Sequence, residues 1–406
     1  MHIILFILIA ALLIEQLGQN FLYQKFDILI DIIGNLHGTI YYIAGILAII
    51  FAILILYKSI KNKEFKPQKW DICFILLLIW ALFSVIFAED KEWAIIGSHR
   101  MDGYFSYLIY ASVYIGVRTL KSDKVRLWLI RFFAVVATSL CMDFVFGGSI
   151  TSIFFNQNHF GYLLTLSSML LCGLFIYESK LYFKILYILM FCLNVYTLIN
   201  VDTFGSYLAV LFGIIFTIIL MLISKKEKNY IIGTLIAFIF FALISIYVDS
   251  QTHILRNNFN VFGSDIEKLA TGAPDSDSAG SFRIKLWKHA FSYIKEKPLF
   301  GYGPEGTYTS WFFEDEVGYD RPHNEYIQCA LFMGIPGTVF YITGLIFLFV
   351  YCIKNRKQLP SYAIISGITV FAYCISAFFG NSMFYTTPYF FMMLGMLSKP
   401  IPKKYK

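Results

Sequence analysis

The stretch TIYYIAGILAIIFAILILY, residues 39–57, contains no charge and no proline. About 20 such residues, wound as a helix, span the hydrocarbon core of a bilayer. A water-soluble domain has no place for many runs of this kind. Here they recur along the chain, at roughly 1–17, 39–57, 71–88, 104–117, 127–146, 159–177, 182–199, 204–223, 230–248, 326–352, 361–379 and 385–398. Composition agrees: 58% of the residues are hydrophobic and 15% charged, with a mean hydropathy of +0.67. Soluble domains usually carry about 25% charge. The reading is an all-α integral membrane protein of about twelve transmembrane helices.

The segments between these runs alternate in charge. Residues 58–70, 118–126, 178–184, 224–229, 353–360 and 399–406 hold 21 of the 33 Lys and Arg residues. Basic loops stay on the cytoplasmic side. Both termini are therefore expected in the cytoplasm, and the net charge of +7 reads as a topology signal rather than a nucleic-acid surface. The N-terminal MHIILFILIAALLIEQ lacks a basic leader and a small-residue cleavage site, so it reads as a retained first span. The seven cysteines all fall in apolar runs, without metal-ligand or disulfide spacing.

Hydrophilic sequence concentrates in residues 249–325, on the expected outer face, with twelve acidic and eight basic residues. This divides the chain into a bundle at 1–248, an extracytoplasmic loop at 249–325 and a second bundle at 326–406. A connection this long is usually functional. Within it, TGAPDSDSAG (271–280) reads as a linker. SFRIKLWKHAFSYIKEKP (281–298) then places Phe282, Leu286, Ala290 and Ile294 at helical spacing. Ser281 is the expected N-cap and Pro298 the stop. The helix 281–297 is expected at the membrane surface. Arg283 breaks its pattern by sharing a side with Trp287, Ala290 and Ile294. Such a guanidinium is either a snorkelling anchor or a buried anion ligand. The following G-x-G-x-x-G of Gly301, Gly303 and Gly306 contains a proline and follows no strand. It reads as a tight turn, not a nucleotide loop.

Polar residues gather where spans begin on that same face. GSHRMDGYFSY brings His99, Arg100 and Asp102; FFNQNHFGY brings Asn156, Asn158 and His159; VDTFGSYLA brings Asp202, Thr203 and Ser206; RPHNEYIQ brings His323 and Asn324. Each is an ordinary cap or interfacial group when taken singly. Together they outline a polar cavity lined by helix N-termini, which favour anions. Arg100 and Arg283 can hold a diphosphate. His323 can accept a hydroxyl proton, and Asn324 can orient a ligand without titrating. That set suits group transfer from a lipid diphosphate to a sugar hydroxyl and needs no cofactor. Asp275-Ser-Asp277 is a D-x-D in a small-residue linker and reads as solvated, and the histidines lack metal spacing.

The run from Arg283 through Trp287, Pro298, Gly301 and Gly303 to His323-Asn324 and Gly334, Gly337 resembles the signature region of the O-antigen ligase and polymerase superfamily. GSHRMDGY is similar to a G-R-x-[DE]-G stretch of many members, and FFNQNHFGY to their asparagine-rich outer loop. The resemblance implies a GT-C-like, metal-independent, inverting membrane glycosyltransferase. Its donor would be an undecaprenyl-diphosphate-linked glycan and its acceptor a glycan or glycolipid, outside the bacterial cytoplasmic membrane. It also implies that His323 is the base, that Arg283 and Arg100 are diphosphate ligands, and that Trp287, Asn324, His99 and Asn158 bind substrate. The chain departs from the pattern at VDTFGSYLA, where many members carry an arginine. Ligase, repeat-unit polymerase and protein glycan transferase remain open on these residues. A lipid-linked glycan flippase is the alternative from another class, with few intramembrane charges in its favour.

Overall fold

Apolar sequence and internally satisfied backbone make helices the only open structure able to cross a bilayer, and helices are what the chain forms. The computed structural model describes residues 1–10, 30–97, 101–147, 154, 156–224, 227–306, 321–384 and 386–399. In order, the helices are α1 (helical over 2–10), α2 (Ile30–Lys61), α3 (Lys69–Ile86), α4 (Lys91–Ile96), α5 (Tyr104–Arg118), α6 (Asp123–Val145), α7 (Gln157–Tyr177) and α8 (Leu181–Asn200). They continue as α9 (Phe204–Ile223), α10 (Lys228–Thr252), α11 (Ile254–Thr271), α12 (Arg283–Glu296), α13 (Glu325–Lys354), α14 (Ser361–Ser376) and α15 (Thr387–Leu397). No strand occurs among the described residues. Among them, eight helices are long and apolar enough to cross a membrane: α2, α3, α6, α7, α8, α9, α10 and α13. The apolar helices α14 and α15 are shorter, and α5 has 15 residues.

The bundle is arranged around α7. Of its span, 94% is buried, against 33% for α2 and for α10. A helix apolar on every side belongs at the centre, and α7 packs on α8, α14, α9, α6 and α10. The outer helices show the complementary pattern: Ile43, Ile46, Ile50 and Ile53 of α2 recur at helical spacing and are exposed. A stripe of that kind is a lipid-facing surface.

The hydrophilic region is more helical than its composition suggests. α10 continues to Thr252, and His253, in the left-handed region, starts α11 directly. The sequence reading has no helix at 254–271. α12 forms where expected and buries Leu286, Ala290 and Ile294, but against α13. Ser281 is not its N-cap. Ser281 and Phe282 both have positive φ, and Phe282 occupies the cap position without a side-chain cap.

α13 is broken at Gly334, with φ 68° and ψ 179°, and Pro336 follows. Pro336 has no N–H for the Phe332 carbonyl. The Ile335 N–H turns instead to the Pro298 carbonyl at 2.8 Å. The glycine turn fills the gap: Tyr302 N–H donates to the Leu331 carbonyl at 3.0 Å and Gly303 N–H to the Phe332 carbonyl at 2.8 Å. Ser84 Oγ also donates to Phe332, at 2.7 Å. Gly301, Gly303 and Gly334 all have positive φ. A methyl on Gly334 would collide with the Leu299 carbonyl oxygen. The G-x-G turn is thus a backbone splint for a broken helix.

Candidate functional site

Four segments meet beside the start of α13: the residues preceding α5, the glycine turn, residues 321–324, and the α14–α15 connection at 377–386. Their hub is buried charge. Asp102 is 0% exposed and Arg321 is 2% exposed. Arg321 Nη1 lies 3.4 Å from Asp102 Oδ2, and its Nη2 pairs with Glu305 of the glycine turn. Arg321 also donates to the Ser382 carbonyl. Asp102 further accepts from Tyr110 and Ser382 hydroxyls, each at 2.7 Å, and from Gln328 Nε2 at 3.5 Å. The Asp102 N–H donates to Glu305 at 3.3 Å. Burial pushes the Asp102 carboxyl up from its ordinary value, opposed by the Arg321 charge and the two hydroxyls.

His323 hangs from this hub two residues beyond Arg321. Its φ is +51°, and Met101 and Glu305, which flank the same cluster, are also left-handed. Non-glycine residues there cost on the order of 1 kcal/mol or more each and persist only when their surroundings hold them. The restraints on His323 are visible on both sides. Trp287 Nε1 donates to the Pro322 carbonyl at 2.9 Å. Asn324 caps α13, its Oδ1 accepting from the Tyr326 and Ile327 N–H groups at 3.0 and 3.1 Å. The His323 ring is half-buried, with Nδ1 at 3.5 Å from Asn381 Nδ2.

Arg283 reaches the same connection. Its Nη1 donates to Gly280 at 2.8 Å and its Nη2 to the Phe379 carbonyl at 3.5 Å, while Nε is buried without a hydrogen-bond partner among the described residues. Tyr162 of α7 donates to that same Phe379 carbonyl at 2.7 Å. The VDTFGSYLA stretch adjoins it too, since a methyl on Gly205 would press on the Phe379 ring.

Of the sequence-derived residues, the structure therefore groups His323, Asn324, Trp287 and Arg283. Asn324 serves as a helix cap. Asn158 stands in the first turn of α7, one turn before Tyr162. Among the described residues, no hydrogen bond joins its side chain to His323 or Arg283. His99 and Arg100 lie outside the described residues. Sequence reasoning gave no role to Arg321, Glu305, Gln328, Asn381 or Ser382. Two faint signals stood in the text: an arginine two places before the histidine, and an acid inside the glycine turn.

Comparison with known proteins bears on this region. Residues 188–342, from α8 to the break in α13, match the family model described as O-antigen ligase. That match supports the O-antigen ligase/polymerase superfamily for this region. The matched stretch contains Arg283, Trp287, Glu305, Arg321 and His323. A protein of Haemophilus influenzae described as uncharacterized is 27% identical over 146 residues, covering 34% of this chain. The match spans 36% of that relative's length.

Proposed function

We propose that this protein transfers a glycan from undecaprenyl diphosphate to an acceptor hydroxyl at the outer face of the bacterial cytoplasmic membrane. The observation that carries the reading is the convergence of His323 and Arg283 on residues 379–381. One side chain is an imidazole, the usual proton acceptor near neutral pH; the other is a guanidinium whose Nη2 reaches the Phe379 carbonyl and whose Nε is buried without a hydrogen-bond partner among the described residues. In this scheme His323 removes the acceptor hydroxyl proton as the oxygen attacks the anomeric carbon. The bond from that carbon to the diphosphate oxygen breaks, with inversion. Arg283, with Arg100, stabilises the charge arriving on undecaprenyl diphosphate. The arginines supply positive charge without a metal.

A recess lined by Leu77, Tyr107, Met333 and Phe391 reaches Ser382 and offers apolar surface to a lipid-linked donor. The charge alternation of the loops supports twelve GT-C-like spans with cytoplasmic termini. The division at 249–325 then makes α11, α12 and the glycine turn the extracytoplasmic unit.

The test is glycan transfer in membranes of the producing strain, using its own lipid-linked glycans. His323→Ala and Arg283→Ala should each abolish transfer while the protein still accumulates in the membrane. Retained transfer in either variant overturns the catalytic assignment. In a deletion strain, single repeats on the acceptor mark a polymerase, and long chains stranded on the carrier mark a ligase. Loss of glycan from protein alone marks a protein glycan transferase.

A further inference from the structure

The α14–α15 connection carries a side chain that the scheme above leaves without a task. Asn381 is 2% exposed, and its Nδ2 lies 3.5 Å from Nδ1 of His323. Its Oδ1 is buried with no hydrogen-bond partner among the described residues. The backbone around it is tied on both sides. Phe379 accepts from Arg283 and Tyr162, and Ser382 is bound to Asp102, Gln328 and Arg321. The backbone that carries the amide is therefore held in place.

An amide offers a donor at one end and an acceptor at the other, and a half-turn exchanges them. With Nδ2 toward the ring, Nδ1 must accept, and the neutral imidazole carries its proton on Nε2. Such a histidine presents no lone pair at Nε2 and cannot act there as a base. The half-turn places Oδ1 on Nδ1–H and frees the Nε2 lone pair. It also moves the NH2 group into the spot where the unpaired oxygen sits, as a donor facing any oxygen-rich ligand.

We infer that Asn381 is a positioning residue that holds His323 in the Nδ1–H tautomer, with its Oδ1 accepting from the ring. The inference rests on His323 being the base of the proposed reaction, but its first test does not. The full chain, labelled with ¹⁵N-histidine, is placed in lipid nanodiscs, and the His323 ring signals are assigned by their loss in His323→Gln. The wild type should show the Nδ1–H tautomer. Asn381→Leu should give a tautomer mixture, and Asn381→Asp should restore Nδ1–H. A wild-type ring protonated on Nε2, or a ring unmoved by Asn381→Leu, overturns the inference.

The second readout is transfer in native membranes. Asn381→Leu should lower turnover roughly 100-fold, the usual lower range for a displaced base, with half-saturation by the donor unchanged. Asn381→Asp should keep transfer and move the low-pH limb of the rate upward, because a carboxylate favours the imidazolium. The charged groups adjoining this point, Arg321, Arg283 and Asp102, are common to both variants and leave that direction unchanged. An unmoved limb counts against the inference. If Asn381→Leu fails to assemble, the near-isosteric Asn381→Asp carries both readouts. Transfer surviving in His323→Ala would sink the proposed reaction while leaving the tautomer result standing.

Discussion

Helix α5 ends in buried arginine–aspartate contacts at both termini, and the two are built differently. At its C-terminal end, Arg118 Nη2 sits 3.2 Å from Asp71 Oδ2. Asp71 also accepts from Tyr114 at 2.5 Å and from the Gln68 N–H at 2.7 Å, and the guanidinium lies over Phe65. One positive charge meets one negative charge, and the contact joins α3 to α5. At the N-terminal end, one guanidinium, Arg321, faces two carboxylates, Asp102 and Glu305. That contact joins four segments distant in sequence. The first is a closed staple between helices. The second is a frame from which His323 is suspended, with two described carboxylates on one guanidinium.

The largest expected effect separates them by stability. Removing one partner of a buried ion pair costs about 3–5 kcal/mol. Arg321→Leu removes the cation shared by two buried carboxylates and should sit at the upper end. Arg118→Leu removes the cation of one and should sit at the lower end. Thermal unfolding of detergent-solubilised protein, followed by size-exclusion recovery, ranks the two. A costlier Arg118→Leu would break the comparison.

Neutral replacement sharpens it further. Swapping a whole buried pair for apolar or neutral groups is often close to neutral. Asp71→Asn with Arg118→Met should therefore recover most of the lost stability and keep glycan transfer. Asp102→Asn with Arg321→Met should recover less, because Glu305 remains, and should lower transfer about 100-fold, the scale of a displaced catalytic group. Equal transfer in the two double variants would reduce the frame to a second staple.

The staple and the frame also differ in how far the sequence discloses them. The long apolar runs were readable because each helix declares itself within about twenty neighbouring residues. α11 was readable too: Leu255, Phe259, Phe262, Ile266 and Leu269 recur at helical spacing, but the polarity of residues 249–325 hid the pattern. His323 and Arg283 stood out through local oddity, as a histidine at a helix mouth and an arginine on an apolar side; Trp287 drew notice only through the family resemblance. The frame had no such local sign. Arg321 meets Asp102 across 219 residues, and Ser382 meets it across 280. Only packing reveals that these charges share one buried point. Asn324, by contrast, drew notice for chemistry and turned out to serve α13 as a cap.

A smaller effect tests whether the broken helix supports the frame. Gly334→Ala forces a side chain into a left-handed, obstructed position and should cost about 1–3 kcal/mol. It should also depress transfer, since the glycine turn carrying Glu305 is docked on that break. Gly147 has φ +101° with open space around it, so Gly147→Ala carries backbone strain alone. It should leave transfer unchanged. A parallel loss of transfer in both would mean that general destabilisation, not the turn, explains the first result.

The smallest effect concerns the tie between α12 and the histidine segment. Trp287→Phe keeps an aromatic ring of similar apolar character but removes the Nε1 donor from the Pro322 carbonyl. One such bond contributes about 0.5–1.5 kcal/mol, within the scatter of many surface substitutions. Stability alone therefore says little about its role. The bond grips the residue next to a left-handed His323, so its loss should widen the range of ring positions and lower turnover a few-fold. Tyr302→Phe, removing a hydroxyl bond to Glu296 at 3.0 Å, provides a matched control on the same unit. Its loss has the same size but breaks no bond to residues 321–324. If both variants lower turnover equally, the frame extends through α12 and the glycine turn together; if only Trp287→Phe does, α12 acts on the histidine through that single indole.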